Sequence, residues 1–423
     1  MPRAQTTSSS TTPVVVIDNG SGLLKAGFAG EDDPSCLLSP ASMGAQPFKN
    51  GIVADWEAME ACWDQAFAQL RVDSEECNLL VTAPLYDTKE NKERLMQMLF
   101  ETYGALGVWT SSPAVFELYA AGRENGVVLG TGHQMSYAVL VHEGLPDMRT
   151  AVRMRTAGEA LTQHAATVLG GSSGAGALDW ATAQKAKQAL AVCAPDGAST
   201  EGVADGVFEL PDGKKVKVDA KTRCALAEPL LDPTLVGEAA GGLAQLVADA
   251  IRLRDKDGVL ESTEQGKDGT ENWYKSVVLA GGSSSIAGLP QRLTRELRSK
   301  APTPCEPAVC APPERAHAAW VGASILGSLA VAGQMWISKA EYDENGPLIV
   351  HRCVRAVCSP PPLPPLVPCR SRPFFTPPTL CSTHRLPGSA SERHPASIRV
   401  TEHRPPRTGH PFRGWYAGKR AAG

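Results

Sequence analysis

The sequence predicts an α/β protein with two similar halves around a shared cleft. One strand–tight turn–strand unit lies at 14–30, and a comparable unit lies at 126–141. Between and after these units, short buried-strand patterns alternate with amphipathic helical patterns, as in mixed α/β folds. Each unit turns at a short run of small residues, and the duplication suggests two related halves that each contribute one hairpin to a shared cleft.

The first unit begins with Val14-Val15-Val16-Ile17, a β-branched run typical of a buried strand. Asn19-Gly20 tolerates positive φ and therefore indicates a tight turn before a second apolar run. The tip, Gly20-Ser21-Gly22, lacks bulk and can bring backbone N–H groups close to an anion. Asp18 could face a hydrated divalent cation and Lys25 a phosphate. For this turn alone, an ordinary structural hairpin is the alternative interpretation.

The later elements follow from hydrophobic spacing. Met59, Trp63, Phe67 and Leu70 share one face of a helix predicted over 57–70. Further helices are predicted over 89–103, 156–169, 179–192 and 289–297. Buried strands are predicted over 78–83 and 277–280, and a hairpin is predicted across Pro211-Asp212-Gly213.

The second unit repeats the opening pattern. Val127-Val128-Leu129 indicates a strand, Gly130-Thr131-Gly132-His133-Gln134 a turn, and 137–141 the return strand. This duplication is the main reason for predicting two related halves.

The first unit and a series of later segments resemble actin. The Asp-Asn-Gly-Ser-Gly-Leu turn and the Lys-Ala-Gly-Phe-Ala-Gly strand are nearly those of actin's first phosphate-binding hairpin. Further actin-like segments keep their order and lie at 51–53, 100–102, 118–123, 209–213, 311–315, 334–339 and 346–352. Residues 14–353 are therefore identified as a member of the actin and actin-related protein family. The resemblance implies the actin/Hsp70-type ATPase fold, in which two ribonuclease-H-like halves surround a nucleotide cleft.

The resemblance also implies domain boundaries. The first half comprises 13–120 plus 317–353, and the second comprises 121–316. In actin, the interval that corresponds to 39–50 holds a small subdomain whose loop inserts into the next subunit. Here that interval is too short, so the small subdomain is expected to be largely missing. Disorder is expected in the Ser/Thr-rich residues 1–12 and in the Pro/Arg-rich tail 354–423.

The resemblance assigns a nucleotide site to the cleft. It implies ATP or ADP as the ligand, with Mg or Ca, and makes Asp18 the metal-binding residue. The implied nucleotide-binding residues are Asp18, Gly20, Ser21, Gly22, Leu23, Lys25, Thr131, Gly132, Lys187, Gly281, Gly282 and Ser283.

The catalytic side of this site departs from the family pattern. Actin's Asp-Ser-Gly-Asp-Gly turn is replaced by 130–134, which contains no carboxylate. Actin's water-positioning Gln and His fall at Pro113 and Tyr137. On the nucleoside side Gln188 replaces a Glu, while Ile286 and Ala316 replace a Tyr and a Lys. We therefore assign no catalytic residue and expect no efficient hydrolysis; the residues leave nucleotide binding open.

Charge and cysteine content restrict the partners. The chain has a net charge of -4, while the segment from Arg355 onward has 11 Lys/Arg and 2 Asp/Glu, so the remainder carries -4 - 9 = -13. An acidic body argues against direct nucleic-acid binding. The 11 cysteines form no CxxC pair, and no cleavable hydrophobic leader is evident, which favours reduced intracellular thiols. We expect a cytoplasmic, cytoskeletal location, with the nucleus as an alternative.

Three minor features have structural interpretations. The apolar run 318–337 contains several Gly and Ser residues, so we predict a buried helix and no membrane span. A zinc site at His351, Cys353 and Cys358 lacks a second ligand pair, so we interpret the cluster as coincidental. In the tail, an SH3-like ligand around 360–368 is the alternative to an unfolded extension, which could also arise from read-through or a wrong gene model.

Two functions remain open at this stage. One is a divergent actin-family cytoskeletal protein with an ATP-binding cleft and impaired or absent hydrolysis. The other is a non-polymerising actin-related scaffold subunit of a larger complex, such as a chromatin remodeller or a motor adaptor. In both cases we expect actin or actin-binding proteins as partners and no self-polymerisation. A sugar kinase is excluded because the chain has no matching substrate domain or candidate catalytic Asp.

Overall fold

The computed structural model describes residues 12–173, 178–195, 200–256, 270–329 and 335–351. All of them lie within the unit Met1–Leu366, whereas Val367–Gly423 lies outside the described residues. The expected disorder at 1–12 falls almost wholly outside them as well, and so does the expected disorder of the tail at 354–423. Cys353 and Cys358 of the zinc alternative also lie outside.

The first half is built on a six-stranded sheet with the order β16-β7-β6-β1-β2-β3. Its strands are β1 Val14–Asp18, β2 Leu24–Phe28, β3 Cys36–Leu38, β6 Asn78–Thr82, β7 Gly107–Ser111 and β16 Ile337–Ser338. Strands β1 and β2 form the predicted antiparallel hairpin, here called the first hairpin, and β1 also pairs in parallel with β6.

The second half repeats this arrangement in a sheet with the order β10-β9-β8-β14-β15. Its strands are β8 Gly126–Thr131, β9 Ser136–His142, β10 Leu145–Pro146, β14 Val277–Ala280 and β15 Val309–Cys310, with β11 Val152–Met154 paired to β9. Strands β8 and β9 form the second hairpin, and β8 pairs in parallel with β14. In each half the first strand of a hairpin also pairs in parallel with a later strand, so the predicted class of two similar α/β halves is confirmed.

The helices pack against the two sheets, and some of them form a separate small cluster with a two-stranded hairpin. They are α1 Trp56–Leu70, α2 Lys89–Gln97, α3 Pro113–Ala120, α4 Gly158–Ser173, α5 Trp180–Leu190, α6 Ala220–Ala225, α7 Leu243–Lys256, α8 Thr270–Tyr274, α9 Leu289–Arg298, α10 Ala318–Ser328 and α11 Lys339–Asn345. The hairpin predicted at 207–218 is present as β12 Gly206–Glu209 and β13 Lys215–Val218. The helix predicted over 89–103 is not uniform, because α2 gives way to a π-helical turn at Met98–Thr102.

Helix α3 lies between the two sheets. Phe116 and Tyr119 belong to a buried cluster with Trp320 of α10 and residues of the first sheet. Leu118 belongs to a different cluster, which includes Val128 and other residues of the second sheet. Because α3 packs on both halves, it fixes the position of any side chain that it directs into the space between them.

The apolar run 318–337 is only partly helical in the described residues. Helix α10 ends at Ser328, residues 330–334 are not described, and β16 begins at Ile337. Gly322 allows α10 to pack closely on α3, since a Cβ there would overlap the carbonyl of Phe116. Within the described part of the chain, no helix is both long enough and apolar enough to cross a membrane.

The short interval after β3 forms a compact connection. It contains a 3₁₀ turn at Pro40–Met43 and a two-stranded hairpin, β4 Phe48–Lys49 and β5 Ile52–Val53. Phe48 and Val53 are buried in the main core of the first half. Asn91 of α2 donates from Nδ2 to the Val53 carbonyl at 3.0 Å, so this hairpin is anchored to the first half.

Candidate functional site

A cavity of about 770 Å³ lies where the tips of the two hairpins approach each other. This volume is within the range of small-molecule sites in proteins. All twelve predicted nucleotide-binding residues line it, namely Asp18, Gly20, Ser21, Gly22, Leu23, Lys25, Thr131, Gly132, Lys187, Gly281, Gly282 and Ser283. The structure thus brings residues from four separate segments to one cavity, while their role in binding remains a prediction.

A hydrogen-bonded network holds the base of the first hairpin. The buried Asp18 carboxylate accepts from Lys25 Nζ at 2.6 Å and from Thr82 Oγ1 at 3.0 Å. The same Thr82 hydroxyl accepts from the backbone N–H of Asn19 at 2.8 Å, and the Asn19 side chain accepts from Trp63 Nε1 at 2.9 Å. The network ties the turn to β6 and α1 and leaves it little freedom to move.

The tip of the first hairpin presents backbone donors to the cavity. A Cβ at Gly20 would overlap the Leu23 carbonyl oxygen, so only glycine allows this tight turn. Among the described residues, none accepts from the backbone N–H groups of Ser21, Gly22 or Leu23. Free N–H groups around a concave turn form a site for an anion such as a phosphate.

The tip of the second hairpin is fixed from the other side. The Gly132 carbonyl accepts from Ser283 Oγ at 2.8 Å and from the Gly158 N–H at 3.0 Å. Gly281 has a φ of +90°, and a Cβ there would overlap the backbone of Thr131. The strand-to-glycine turn after β14 therefore packs directly on the second hairpin, which places Gly281, Gly282 and Ser283 beside it.

The two tips contact each other across the cavity. A Cβ added to Gly22 would lie 2.7 Å from the Cβ of His133. Beside this contact, Gln134 Oε1 accepts from the Gly51 N–H at 3.1 Å, and Gln134 Nε2 donates to the Phe48 carbonyl at 3.3 Å. One glutamine side chain thus joins the second hairpin to the β4–β5 hairpin of the first half. No local sequence pattern predicts this link, because the residues that form it are more than 80 positions apart.

Tyr137 fills the space beside Gly130. A side chain at Gly130 would overlap the Tyr137 ring, and the Tyr137 hydroxyl donates to Glu117 Oε2 at 2.6 Å. Glycine at 130 and tyrosine at 137 are therefore sterically coupled, because the Tyr137 ring occupies the space that a side chain at 130 would need.

Glu117 is a buried carboxyl group that the sequence analysis missed. It is 5% exposed, comes from α3 and lines the cavity. Burial raises its pKa to about 8, although the Tyr137 hydrogen bond acts in the opposite direction. The one indication in the sequence is that Glu117 is the single charged residue of the segment 113–120.

Pro113 occupies the first position of α3, next to the cavity. Proline is well suited there because the first turn of a helix does not use that N–H. Ser112 caps the helix by accepting from the Ala114 N–H at 3.2 Å. The helix start is therefore well built, while position 113 offers the cavity no group that could orient water.

Two basic side chains that line the cavity, Lys187 and His133, are partly desolvated. Lys187 Nζ donates to the Gly158 carbonyl at 2.7 Å and to Thr162 Oγ1 at 2.8 Å. Burial lowers the pKa of Lys187 to about 8. Burial, together with the charge of Lys187, also lowers the pKa of His133, so His133 is a neutral group at the tip.

The cavity fits an anionic ligand better than a protein-held metal ion. Both oxygens of Asp18 are already engaged by Lys25 and Thr82. In the described ranges, no group of three or more His, Cys, Asp or Glu side chains is arranged to hold a metal. The free N–H groups of the first hairpin, in contrast, suit phosphate oxygens.

Comparison with known proteins agrees with this architecture. The family model for actin matches residues 42–178 and 179–355. An actin-like protein of Neurospora crassa is 32% identical over 383 residues, which cover 80% of this chain and 97% of that protein. The chain is a mixed α/β protein of the actin-type ATPase fold, and it belongs to the actin family. The family assignment and the fold class predicted from the sequence are therefore confirmed.

Proposed function

We propose that this divergent actin-like protein binds ATP or ADP in its cleft and hydrolyses ATP slowly or not at all. The observation that carries the proposal is the contrast within one cavity. The backbone N–H cradle of the first hairpin is intact, whereas Pro113, Gly130 and Tyr137 occupy the positions of the catalytic side. Backbone donors can hold phosphates without any particular side chain.

The missing groups account for the expected loss of rate. Hydrolysis of a phosphoanhydride depends on stabilising developing charge and on orienting the attacking water. Single electrostatic groups of this kind contribute about 2.7–4 kcal/mol to transition-state stabilisation. Losing a carboxylate at 130 and a water-positioning side chain at 113 together is therefore expected to slow the reaction by several powers of ten. Asp18 is the predicted metal ligand, but both of its oxygens are engaged by Lys25 and Thr82, so no metal-assisted step is assigned to it.

Two measurements on the purified full chain test this proposal. Isothermal titration calorimetry with ATP and with ADP measures binding, and steady-state phosphate release measures hydrolysis. We expect saturable binding with phosphate release far below that of actin measured in parallel. Absence of binding, or release at the rate of actin, would overturn the corresponding half of the proposal.

A second candidate function is a non-polymerising scaffold within a larger complex. The specific observation is the compact interval after β3, where a 3₁₀ turn and the β4–β5 hairpin occupy the place implied for a whole subdomain. A head-to-tail filament needs two complementary surfaces on every subunit, and this interval has no room for the inserting loop. Actin or actin-binding proteins are the proposed partners, in the cytoplasmic cytoskeleton or in the nucleus.

Sedimentation distinguishes the scaffold from a filament-forming protein. The chain in polymerising salt with ATP is expected to stay in the supernatant at high speed. With preformed actin filaments, cosedimentation at a low, saturating ratio would support end binding. Pelleting of the chain alone, with helical filaments visible by electron microscopy, would rule out the scaffold candidate.

A further inference from the structure

Glu117 is placed to contact a ligand in the cavity while its carboxyl group carries a proton. Its carboxyl group is buried, lines the cavity, and receives one hydrogen bond, from Tyr137, among the described residues. No basic side chain in the described ranges forms an ion pair with it. A buried carboxyl group with one neutral donor and no paired cation retains its proton, because the charged form would lose its hydration without compensation.

The charged and titratable groups around Glu117 are few. Tyr137 of β9 donates the hydrogen bond, Asp18 of β1 raises the pKa of Glu117, and Lys25 of β2 lowers it. Lys25 is already paired with Asp18 at 2.6 Å, so its charge is largely compensated. The base of the cavity is therefore close to neutral while Glu117 is protonated, and it becomes negative when the proton is lost.

We propose that Glu117 is a binding residue whose protonated carboxyl group donates a hydrogen bond to a phosphate oxygen of the nucleotide, and that ionisation of this group weakens nucleotide binding. The inference rests on the proposed nucleotide binding and adds to that site a residue that makes the affinity depend on pH. A neutral carboxyl group offers one O–H donor, which suits an anionic ligand. The carboxylate offers only acceptors and would repel phosphate.

The pH window follows from the buried position. With a pKa near 8, Glu117 is protonated at neutral pH and ionised at higher pH. Nucleotide affinity is therefore expected to decrease as the pH rises through 8. Lys187 loses its charge in the same window, which also weakens anion binding, so the test must separate these two groups.

The test compares the wild-type chain with Glu117→Gln, a neutral variant of nearly the same shape. The dissociation constant for ATP is measured by calorimetry from about pH 7 to about pH 9, and ionisation of the terminal phosphate at the lower end of this range affects the wild type and the variant alike. Over this range we expect the wild-type constant to increase about tenfold more than that of the variant. The dependence of affinity on pH that remains in the variant reports the loss of charge at Lys187. Glu57→Gln, on an exposed face of α1, is the matched control and should follow the wild type.

A second readout detects the proton itself. Calorimetry at the upper pH in two buffers with different ionisation enthalpies gives the number of protons taken up on binding. The wild type should take up more protons than Glu117→Gln. In Tyr137→Phe, removal of the hydrogen bond that lowers the pKa of Glu117 should move the midpoint of the affinity curve to higher pH. This shift keeps the inference testable if Glu117→Gln fails to fold.

The outcomes separate the two proposals. Equal pH curves and equal proton uptake in the wild type and Glu117→Gln would overturn the role of Glu117 and leave nucleotide binding intact. Absence of ATP binding in all variants at every pH would overturn the proposed function itself. A steeper wild-type curve with extra proton uptake would support both.

Discussion

The two hairpins show how one backbone design can be kept while its chemistry changes. The first hairpin retains a buried carboxylate, Asp18, held by Lys25 and Thr82. The second has the same strand–turn–strand form, yet Gly130 carries no side chain and the ring of Tyr137 occupies the adjacent space. The backbone of a tight turn depends on a few small residues, whereas the side chains next to it can differ as long as their neighbours leave room for them.

The largest expected effect comes from introducing the side chains that the actin resemblance implies around the second hairpin. Gly130→Asp alone should destabilise the protein, because the new side chain overlaps the Tyr137 ring. Gly130→Asp combined with Tyr137→His and Pro113→Gln should raise steady-state phosphate release by about 10²–10³-fold, the effect of one electrostatic group or more. Gln188→Glu, which restores a family residue on the nucleoside side, is the control and should not raise the rate. A full increase without the change at Tyr137 would contradict the steric coupling.

The next effect concerns stability and pH. The native state keeps a proton on Glu117 up to about pH 8, whereas the unfolded chain loses it near the ordinary value of 4.5. The unfolded state therefore binds fewer protons between these values, and this group makes stability fall as the pH rises. The loss is on the order of 3 kcal/mol by neutral pH.

Thermal or urea unfolding from about pH 5 to about pH 8 checks this expectation. The unfolding free energy of Glu117→Gln relative to the wild type should increase across this range and become constant above it. Glu57→Gln should show no such trend, and a constant difference for Glu117→Gln would show that the carboxyl group is ionised throughout.

The third prediction compares how much room each hairpin tip leaves for a Cβ atom. Gly20→Ala should destabilise the protein by about 1–3 kcal/mol and impair ATP binding, because the added Cβ overlaps the Leu23 carbonyl. Gly132→Ala should cost less than about 0.5 kcal/mol, since its Cβ would lie 3.4 Å from the Met135 carbonyl, an ordinary contact. Urea unfolding of both variants measures the difference, and equal effects would mean that the tips are equally constrained.

The smallest expected effect concerns the link across the cavity. Gln134→Ala removes two hydrogen bonds, to Gly51 and Phe48, each with a net value of about 1 kcal/mol. Amide hydrogen exchange at Gly51 should accelerate by roughly tenfold or more, and bound nucleotide should exchange faster. Gln163→Ala, on an exposed position of α4, is the control. Unchanged protection at Gly51 would show that its N–H is held by another group.

The sequence alone determined the local elements and the resemblance that ordered them. The β-branched run at 14–17 and the Asn19-Gly20 turn predicted the first hairpin, since these choices act within a few residues. The repeat at 126–141 predicted the second hairpin by the same local rules. The first turn also needed glycine at Gly20, because a Cβ there would overlap the Leu23 carbonyl only three positions away.

Only the tertiary structure decided which groups meet at the base of the cavity. Glu117 and Tyr137 are twenty positions apart and lie on a helix and a strand, so no periodicity pairs them. The link from Gln134 to Gly51 spans a still longer separation. Burial also changes chemistry that the sequence states only as a residue type: the same carboxyl group that would be ionised in water keeps its proton once α3 is packed between the two sheets. The local pattern specified the turns, and the packing of distant segments specified the charge around them.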